Sequence, residues 1–457
     1  MGEPAGAGQL ADVRVLVCGV GVAGASAARA LLAAGADVAL TATTEAASVA
    51  GLVAGGARWL GPVTELPDVD LVVVSPGLRP NDPLLADAAV RGVPVWGEAE
   101  LAWRLRGTDA APWLAITGTN GKTTTVHMLE AMLRAAGRRA LAVGNVGVPL
   151  IDAVVAGDTY DVLAVELSSQ QLHFAPSIRP QAGVLLNLAA DHLDWHGSFE
   201  DYAMAKSAVW FGEVAIGNAD DPLVAGLLGA APGEQVSFTL GEPAVGQLGV
   251  VAGQLVSRAF GDDGVVLADA ADVRPPGAHN VANALAAAAL ARAHGCGPAP
   301  IAAGLDAFTP DPHRNQLVGE HAGVRWVDDS KATNAHAARG SLLAYDPIVW
   351  VAGGQLKGAS VDDLVAEVAP RLRAAVLLGV DRAVIAQALR RHAPDVPVIE
   401  VETRDDGAML EVARSAVALS RPGDTVLLAP AGASYDMFAN YGARGDAFAA
   451  AMREVTI

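Results

Sequence analysis

The run Gly118-Thr119-Asn120-Gly121-Lys122-Thr123-Thr124 carries the densest chemistry in this chain, directly after the apolar stretch Trp113-Leu114-Ala115-Ile116. A strand that breaks at glycines and restarts as a helix aims backbone N–H groups and a helix N-terminus at one point. That arrangement suits phosphate. Lys122 adds a point charge for terminal phosphates, and the Thr123 hydroxyl can ligate Mg²⁺. A full Walker pattern would place glycine where Ile116 stands, so the loop is a shortened variant.

Further candidates lie on either side. Gly19, Gly21 and Gly24 follow the apolar run 13–17 and have the spacing of a dinucleotide turn. A nicotinamide site wants an acid at the end of the next strand, where Thr41-Ala42-Thr43 stands; another nucleotide diphosphate still fits the turn. Glu166 ends the run Val162-Leu163-Ala164-Val165, at the strand end where ligands bind in parallel sheets. Asp191-His192-Leu193-Asp194-Trp195-His196 has metal-site spacing, and histidine with oxygens beside phosphates suits Mg²⁺ better than zinc. By position alone, Lys206 reads as an ordinary exposed helix lysine, and His279-Asn280 with Asn283 as the capped start of an alanine-rich helix. Val327-Asp328-Asp329-Ser330-Lys331-Ala332-Thr333-Asn334 packs acid, hydroxyl and cation at a strand end, a density that stability alone does not explain.

The elements that must position these residues alternate strand and alanine-rich helix almost throughout, which predicts an α/β protein with largely parallel sheets. At 457 residues about three domains are expected. Gly107 to Pro112 and Phe308 to Pro312 are the boundary candidates, giving domains 1–109, 110–309 and 310–457. A more irregular stretch, about 212–275, has short strands spaced by glycine. The net charge of −19 and the lack of Lys/Arg runs argue against nucleic acid. No apolar run reaches the roughly 18–20 residues of a membrane span. Without a basic, then apolar, leader at its start, the chain is expected in the cytoplasm. Cys18 and Cys296 are expected as buried small residues rather than metal ligands.

Taken in order, Gly118 to Thr124, Gly144-Asn145-Val146-Gly147, Glu166-Leu167-Ser168-Ser169, Asp191-His192, Tyr202 with Lys206, His279-Asn280 with Asn283, and His313-Arg314 resemble the Mur ligase family. These are ATP-dependent amide-bond-forming enzymes, and the resemblance covers nearly the whole chain. The N-terminal glycine turn, Asp329-Ser330-Lys331-Ala332-Thr333-Asn334 and Pro430 to Phe438 resemble the branch that adds D-glutamate to UDP-N-acetylmuramoyl-L-alanine. Branches that add other amino acids typically show Asp-Tyr-x-His where Asp328-Asp329-Ser330-Lys331 stands here. A related ligase with another acceptor, such as L-glutamate, is the nearest alternative.

The resemblance implies a Rossmann-like N-terminal domain, a central P-loop ATPase-type domain with a parallel sheet, and a Rossmann-like C-terminal domain. It implies ATP bound by Gly118, Thr119, Asn120, Gly121, Lys122, Thr123 and Thr124, with Asn280 and Asn283 by the adenine and Arg314 and Asp329 by the ribose and phosphates. Two Mg²⁺ sites are implied, one at Thr123 and Glu166, the other at His192 and Lys206, with Lys206 as a carbamate. The UDP group would lie at Gly19, Val22, Ala23, Ser75 and Gly77, and the muramyl part at Asn145, Ser168 and Gln171. D-glutamate would meet Lys331, Thr333, Lys357, Ser434, Tyr435 and Tyr441. Lys122, His192, Lys206 and Lys331 are the implied catalytic set, in a monomer. Thr41-Ala42-Thr43, Gln170 and Asn315-Gln316 depart from the family pattern at secondary contacts.

Overall fold

The computed structural model describes residues 10–156, 159–403 and 407–456. Their strands form three sheets of five, nine and six strands. Three sheet-bearing α/β regions were expected, and three are found. By chain contacts the molecule divides into two compact units, one of 1–272 with 282–308, the other of 273–281 with 309–457. The first two sheets belong to the first unit and the third sheet to the second.

The first sheet is parallel and, counted along the chain, runs third-second-first-fourth-fifth. Chain direction across the sheet therefore reverses between its first strand, Arg14–Cys18, and its fourth, Leu71–Val74. That switch point opens a crevice at the strand ends. Leu71–Val74 is buried along its whole length because helices cover both faces, which is why it reads as an unbroken apolar run.

The central sheet runs ninth-eighth-seventh-sixth-fifth-fourth-first-third-second, and its first seven strands are parallel. Its first strand, Trp113–Thr117, is fully buried between Val162–Glu166 and Ala182–Leu185. The glycine-spaced stretch supplies the other five strands. The last two, Gln254–Ser257 and Val265–Asp269, close the edge antiparallel. Asp221, followed by Pro222, caps helix Pro222–Leu228 by accepting from Leu223 N and Val224 N.

The third sheet runs first-second-sixth-third-fourth-fifth. Ile348–Gly353 and Thr425–Ala431 form its buried centre. Its edge strand, Gln316–His321, is antiparallel and was not foreseen, because a mostly exposed strand lacks the apolar run that betrays a central one. Both cysteines are buried and free, as expected. Among the described residues no helix is long and apolar enough to cross a membrane.

Candidate functional site

The end of strand Trp113–Thr117 feeds the phosphate turn, and helix Lys122–Ala135 follows it. Gly121 caps that helix at φ +85°, a conformation that disfavours side chains. A Cβ there would overlap Asn283 Oδ1, so Asn283 lies directly under the turn. Asn187 grips the Asn120 peptide from the other side, accepting from its N–H at 2.9 Å and donating to its carbonyl at 3.0 Å. Sequence reasoning missed Asn187, although an asparagine just past a central strand was available as a signal. Lys122 Nζ donates to Gly118 O at 2.9 Å and Thr119 O at 3.1 Å, so its charge lies along the turn.

Lys206 overturns the positional reading. It is buried, on helix Phe199–Ser207, and donates to Gly118 O at 2.8 Å and Thr117 Oγ1 at 3.3 Å. Its Nζ also sits 4.9 Å from the centre of the Tyr202 ring, whose hydroxyl is 2.8 Å from Thr119 Oγ1. Burial, reinforced by the charge of Lys122, pushes the ammonium well below the usual lysine range. Asp191 and Glu166 act on it in the opposite direction, so the charges of Lys122, Asp191 and Glu166 all bear on the Lys206 amine.

Glu166 is buried at its strand end. Its Oε1 accepts from Asn145 Nδ2 at 2.9 Å, while Oε2 is buried without a hydrogen-bond partner. A buried carboxylate oxygen left without a partner fits a cation. Thr123 opens the adjacent helix, so the oxygen donors suit Mg²⁺, which keeps waters and takes few protein ligands. Among the described residues no group of three or more His, Cys, Asp or Glu converges as a closed metal site. His192 is exposed, in the left-handed region at φ +52° before the short helix Leu193–His196. Next along, His196 is buried with Nε2 at 2.9 Å from Ser169 Oγ, and burial lowers its pKa to about 4, so it is neutral at physiological pH.

In the N-terminal region, Gly19 and Ser75 meet at the switch point, where a Cβ on Gly19 would overlap Ser75 Oγ. Exposed Gly77 continues the Ser75 turn. A cleft of about 240 Å³ nearby is lined by Val22, Ala23, Asn145 and Gln171, four of the expected substrate contacts. Ser168 caps the helix Ser169–His173 in a capping box with Gln171.

The second unit assembles another cluster. Lys331 Nζ lies 4.0 Å from the centre of the Tyr441 ring. Asp328 accepts from Ser330 N at 2.8 Å and pairs with His313 Nδ1 at 2.7 Å. Asp329 accepts from Asn315 N at 3.1 Å and from the Ser341 hydroxyl, and full burial raises its pKa to about 7. Fully buried Arg444 donates to Ser330 O at 2.8 Å and Gly432 O at 3.0 Å, tying strand ends together. Arg314 pairs with Asp311. Ser434 is buried, Thr333 half-buried, and Lys357, Tyr435 and Tyr441 are exposed. His279 and Asn280 lie inside the first turn of helix Ala278–Ala293, so neither is its cap. Asn280 is buried, and its N–H donates to Gly277 O at 3.0 Å.

Three family models match in order: the Mur ligase MurD-like N-terminal domain over 13–97, the Mur ligase middle domain over 116–291, and the Mur ligase glutamate ligase domain over 313–432. The chain is 54% identical to the UDP-N-acetylmuramoylalanine–D-glutamate ligase of Streptomyces coelicolor, across 96% of this chain and 98% of that protein. It is 51% identical to the enzyme of the same name from Mycolicibacterium smegmatis, across 96% of both. The chain belongs to the Mur ligase family.

The fold agrees with that of other Mur ligases. MurF from Acinetobacter baumannii superposes with a TM-score of 0.61 at 20% identity, covering 91% of this chain and 90% of that one. MurC from Thermotoga maritima gives 0.58 at 19%, covering 97% and 100%.

Proposed function

We propose that this Mur ligase joins D-glutamate to UDP-N-acetylmuramoyl-L-alanine at the expense of ATP, in the cytoplasmic synthesis of peptidoglycan precursors, and that it acts as a monomer. The observation that carries the reading is buried Lys206 hydrogen-bonded to Gly118 O of the phosphate turn, with the charge of Lys122 and of Glu166, whose Oε2 is buried without a partner, bearing on it. Identity above half along nearly the whole chain supports the choice of substrates.

A carboxylate does not accept an amine directly, because oxide is too poor a leaving group. The L-alanyl carboxylate instead attacks the γ-phosphate of ATP, forming an acyl phosphate and expelling ADP. The D-glutamate amine then attacks the acyl carbon, and phosphate leaves from the tetrahedral intermediate. The turn's N–H groups and Lys122 hold the phosphates and spread the charge of the transferring group, the main electrostatic task of such a reaction. Thr123 and Glu166 would hold one Mg²⁺, and His192 with Lys206 a second; bound Mg²⁺ neutralises phosphate charge.

Lys206 suits carbamate formation. Its buried amine, in the unprotonated form that burial favours, would attack CO₂, form an N–C bond and release a proton, which turns a would-be cation into an oxygen ligand. Asn280 and Asn283 take the adenine, and Arg314 and Asp329 serve the ribose and phosphates. The N-terminal turn at Gly19, Val22, Ala23, Ser75 and Gly77 takes the UDP group, and Asn145, Ser168 and Gln171 the muramyl part. Lys331, Thr333, Lys357, Ser434, Tyr435 and Tyr441 receive D-glutamate, whose carboxylates need cations and hydroxyls. Domain boundaries near 110 and 310 go with this division of labour.

The test is phosphate release from ATP with UDP-N-acetylmuramoyl-L-alanine, adding D-glutamate, L-glutamate and other amino acids separately. Release dependent on D-glutamate is expected. Release with another amino acid would keep the mechanism and overturn the acceptor, and no release with any would overturn the activity.

A further inference from the structure

We infer that Glu98 is a positioning residue for the UDP-linked substrate, setting the shape of the cleft from its N-terminal side. The inference rests on the function proposed above, and no motif in the sequence pointed to this residue.

Glu98 opens helix Glu98–Leu105 and is buried, with 3% of its surface exposed. Its Oε1 accepts from Leu150 N at 2.8 Å, and Ile151 N lies at 3.5 Å. Those N–H groups begin helix Leu150–Val155, whose own cap position is Pro149 with no side-chain cap. Glu98 therefore caps that helix from a distant part of the chain. Its other oxygen, Oε2, faces Gln171 Nε2 at 3.4 Å. Gln171 in turn accepts from Ser168 N at 2.9 Å.

The consequence lies in the loop between these anchors. Residues 144–147 and Pro149 line the 240 Å³ cleft together with Glu98, Pro76 and Gln171. At its start the loop is held by Glu166, which takes Asn145 Nδ2 through its side chain and Asn145 N, at 2.9 Å, through its carbonyl. At its far end it is held by Glu98. One carboxylate thus fixes the loop and the Gln171 amide together, on one wall of the cleft. A buried carboxylate satisfied by N–H donors is costly to place, and a merely structural helix start would be met by a serine or aspartate at position 149.

The substitution Glu98→Gln separates the two roles. The new amide keeps an oxygen for Leu150 N but sets its NH₂ against the NH₂ of Gln171. Glu98→Asp keeps both acceptor oxygens but draws them back by one methylene from Leu150 N and Gln171 Nε2 together.

Calorimetric binding of UDP-N-acetylmuramoyl-L-alanine and, separately, of ATP to the full-length proteins reads the effect, with thermal melting as the check on folding. Glu98→Gln is expected to bind the UDP substrate about tenfold more weakly, with ATP affinity unchanged and KM rather than kcat affected. Glu98→Asp is expected to weaken the UDP substrate in the same direction by a smaller factor, again with ATP affinity unchanged. Unchanged affinity in Glu98→Gln, or an equal loss for ATP, overturns the role. If Glu98→Gln does not fold, Glu98→Asp decides: weaker binding of the UDP substrate with ATP affinity unchanged supports the role, and wild-type affinity for the UDP substrate overturns it. Wild-type protein that fails to bind the UDP substrate would instead overturn the proposed function.

Discussion

Two strand ends in this molecule lead into a lysine, and they are built on opposite plans. At the phosphate turn the backbone presents the donors, and side chains serve to hold that backbone. Asn187 clasps the Asn120 peptide, and Asn283 fills the space that glycine at 121 leaves. At 328–331 no helix follows at once, since Ala335–Leu342 starts only after its Asn334 cap. There, buried carboxylates brace the turn: Asp328 takes Ser330 N, Asp329 takes Asn315 N, and Arg444 gathers the carbonyls. Phosphate, compact and rich in acceptors, suits a nest of N–H groups. An amino acid with two separated carboxylates, the ligand proposed for the second turn, needs cations and hydroxyls at fixed distances, which a turn set by side chains can supply.

The largest effects belong to the first plan. Lys122→Ala should cut turnover by about a thousandfold while the melting temperature holds, because it removes charge at the transferring phosphoryl group. Wild-type rates in that variant would mean the turn does not hold the reacting phosphates. Lys206→Ala should cost about a hundredfold, and a short carboxylate such as acetate should restore part of it by supplying the missing oxygens. Full activity without rescue would exclude the carbamate.

The two plans also differ in how far they can be read from sequence. The phosphate turn is contiguous, so glycine spacing, lysine and threonine announce it before any fold is known. Strands such as Val162–Glu166 are equally plain, since a parallel strand buried on both faces is an apolar run. By position alone Lys206 was unreadable for the converse reason, and only the family resemblance marked it. Its neighbours Thr117 and Gly118 lie far away in sequence, and nothing in Ala203-Met204-Ala205-Lys206 distinguishes it from a surface lysine. Asn187 and Glu98 were hidden likewise, each acting on a backbone from another segment. At 327–334 the crowding of polar residues was visible, but which carboxylate braces and which cation faces out was not. That depends on partners such as Ser341 and Arg444, which only the fold supplies.

A smaller effect should mark the second plan. Lys331→Ala is expected to raise KM for D-glutamate about tenfold, the loss of one charge-assisted contact, with KM for ATP little changed. An unchanged KM for the amino acid would move its carboxylates elsewhere in the C-terminal domain.

The bracing carboxylates make the last and smallest prediction, on stability rather than rate. Asp329 has its pKa raised from the ordinary 3.8 to about 7, with burial the leading cause. Below about pH 4 both folded and unfolded forms hold the proton, so the group is neutral to stability there. As pH rises toward 7, the unfolded chain gives up its proton first, so the folded state binds more protons and loses stability across that window. Above it the loss is complete. Asp329→Asn keeps an oxygen for Asn315 N and can turn its NH₂ to the Ser341 hydroxyl, yet it cannot titrate. Unfolding by denaturant at pH 4.5 and at pH 7.5 should therefore show the variant gaining on wild type at the higher pH. If the difference between the two proteins is the same at both values, Asp329 is ionised in the fold at no cost. The second turn would then be braced by a charge, as an ordinary salt-bridged loop is, and the contrast with the uncharged clasp of Asn187 would be one of electrostatics rather than of burial.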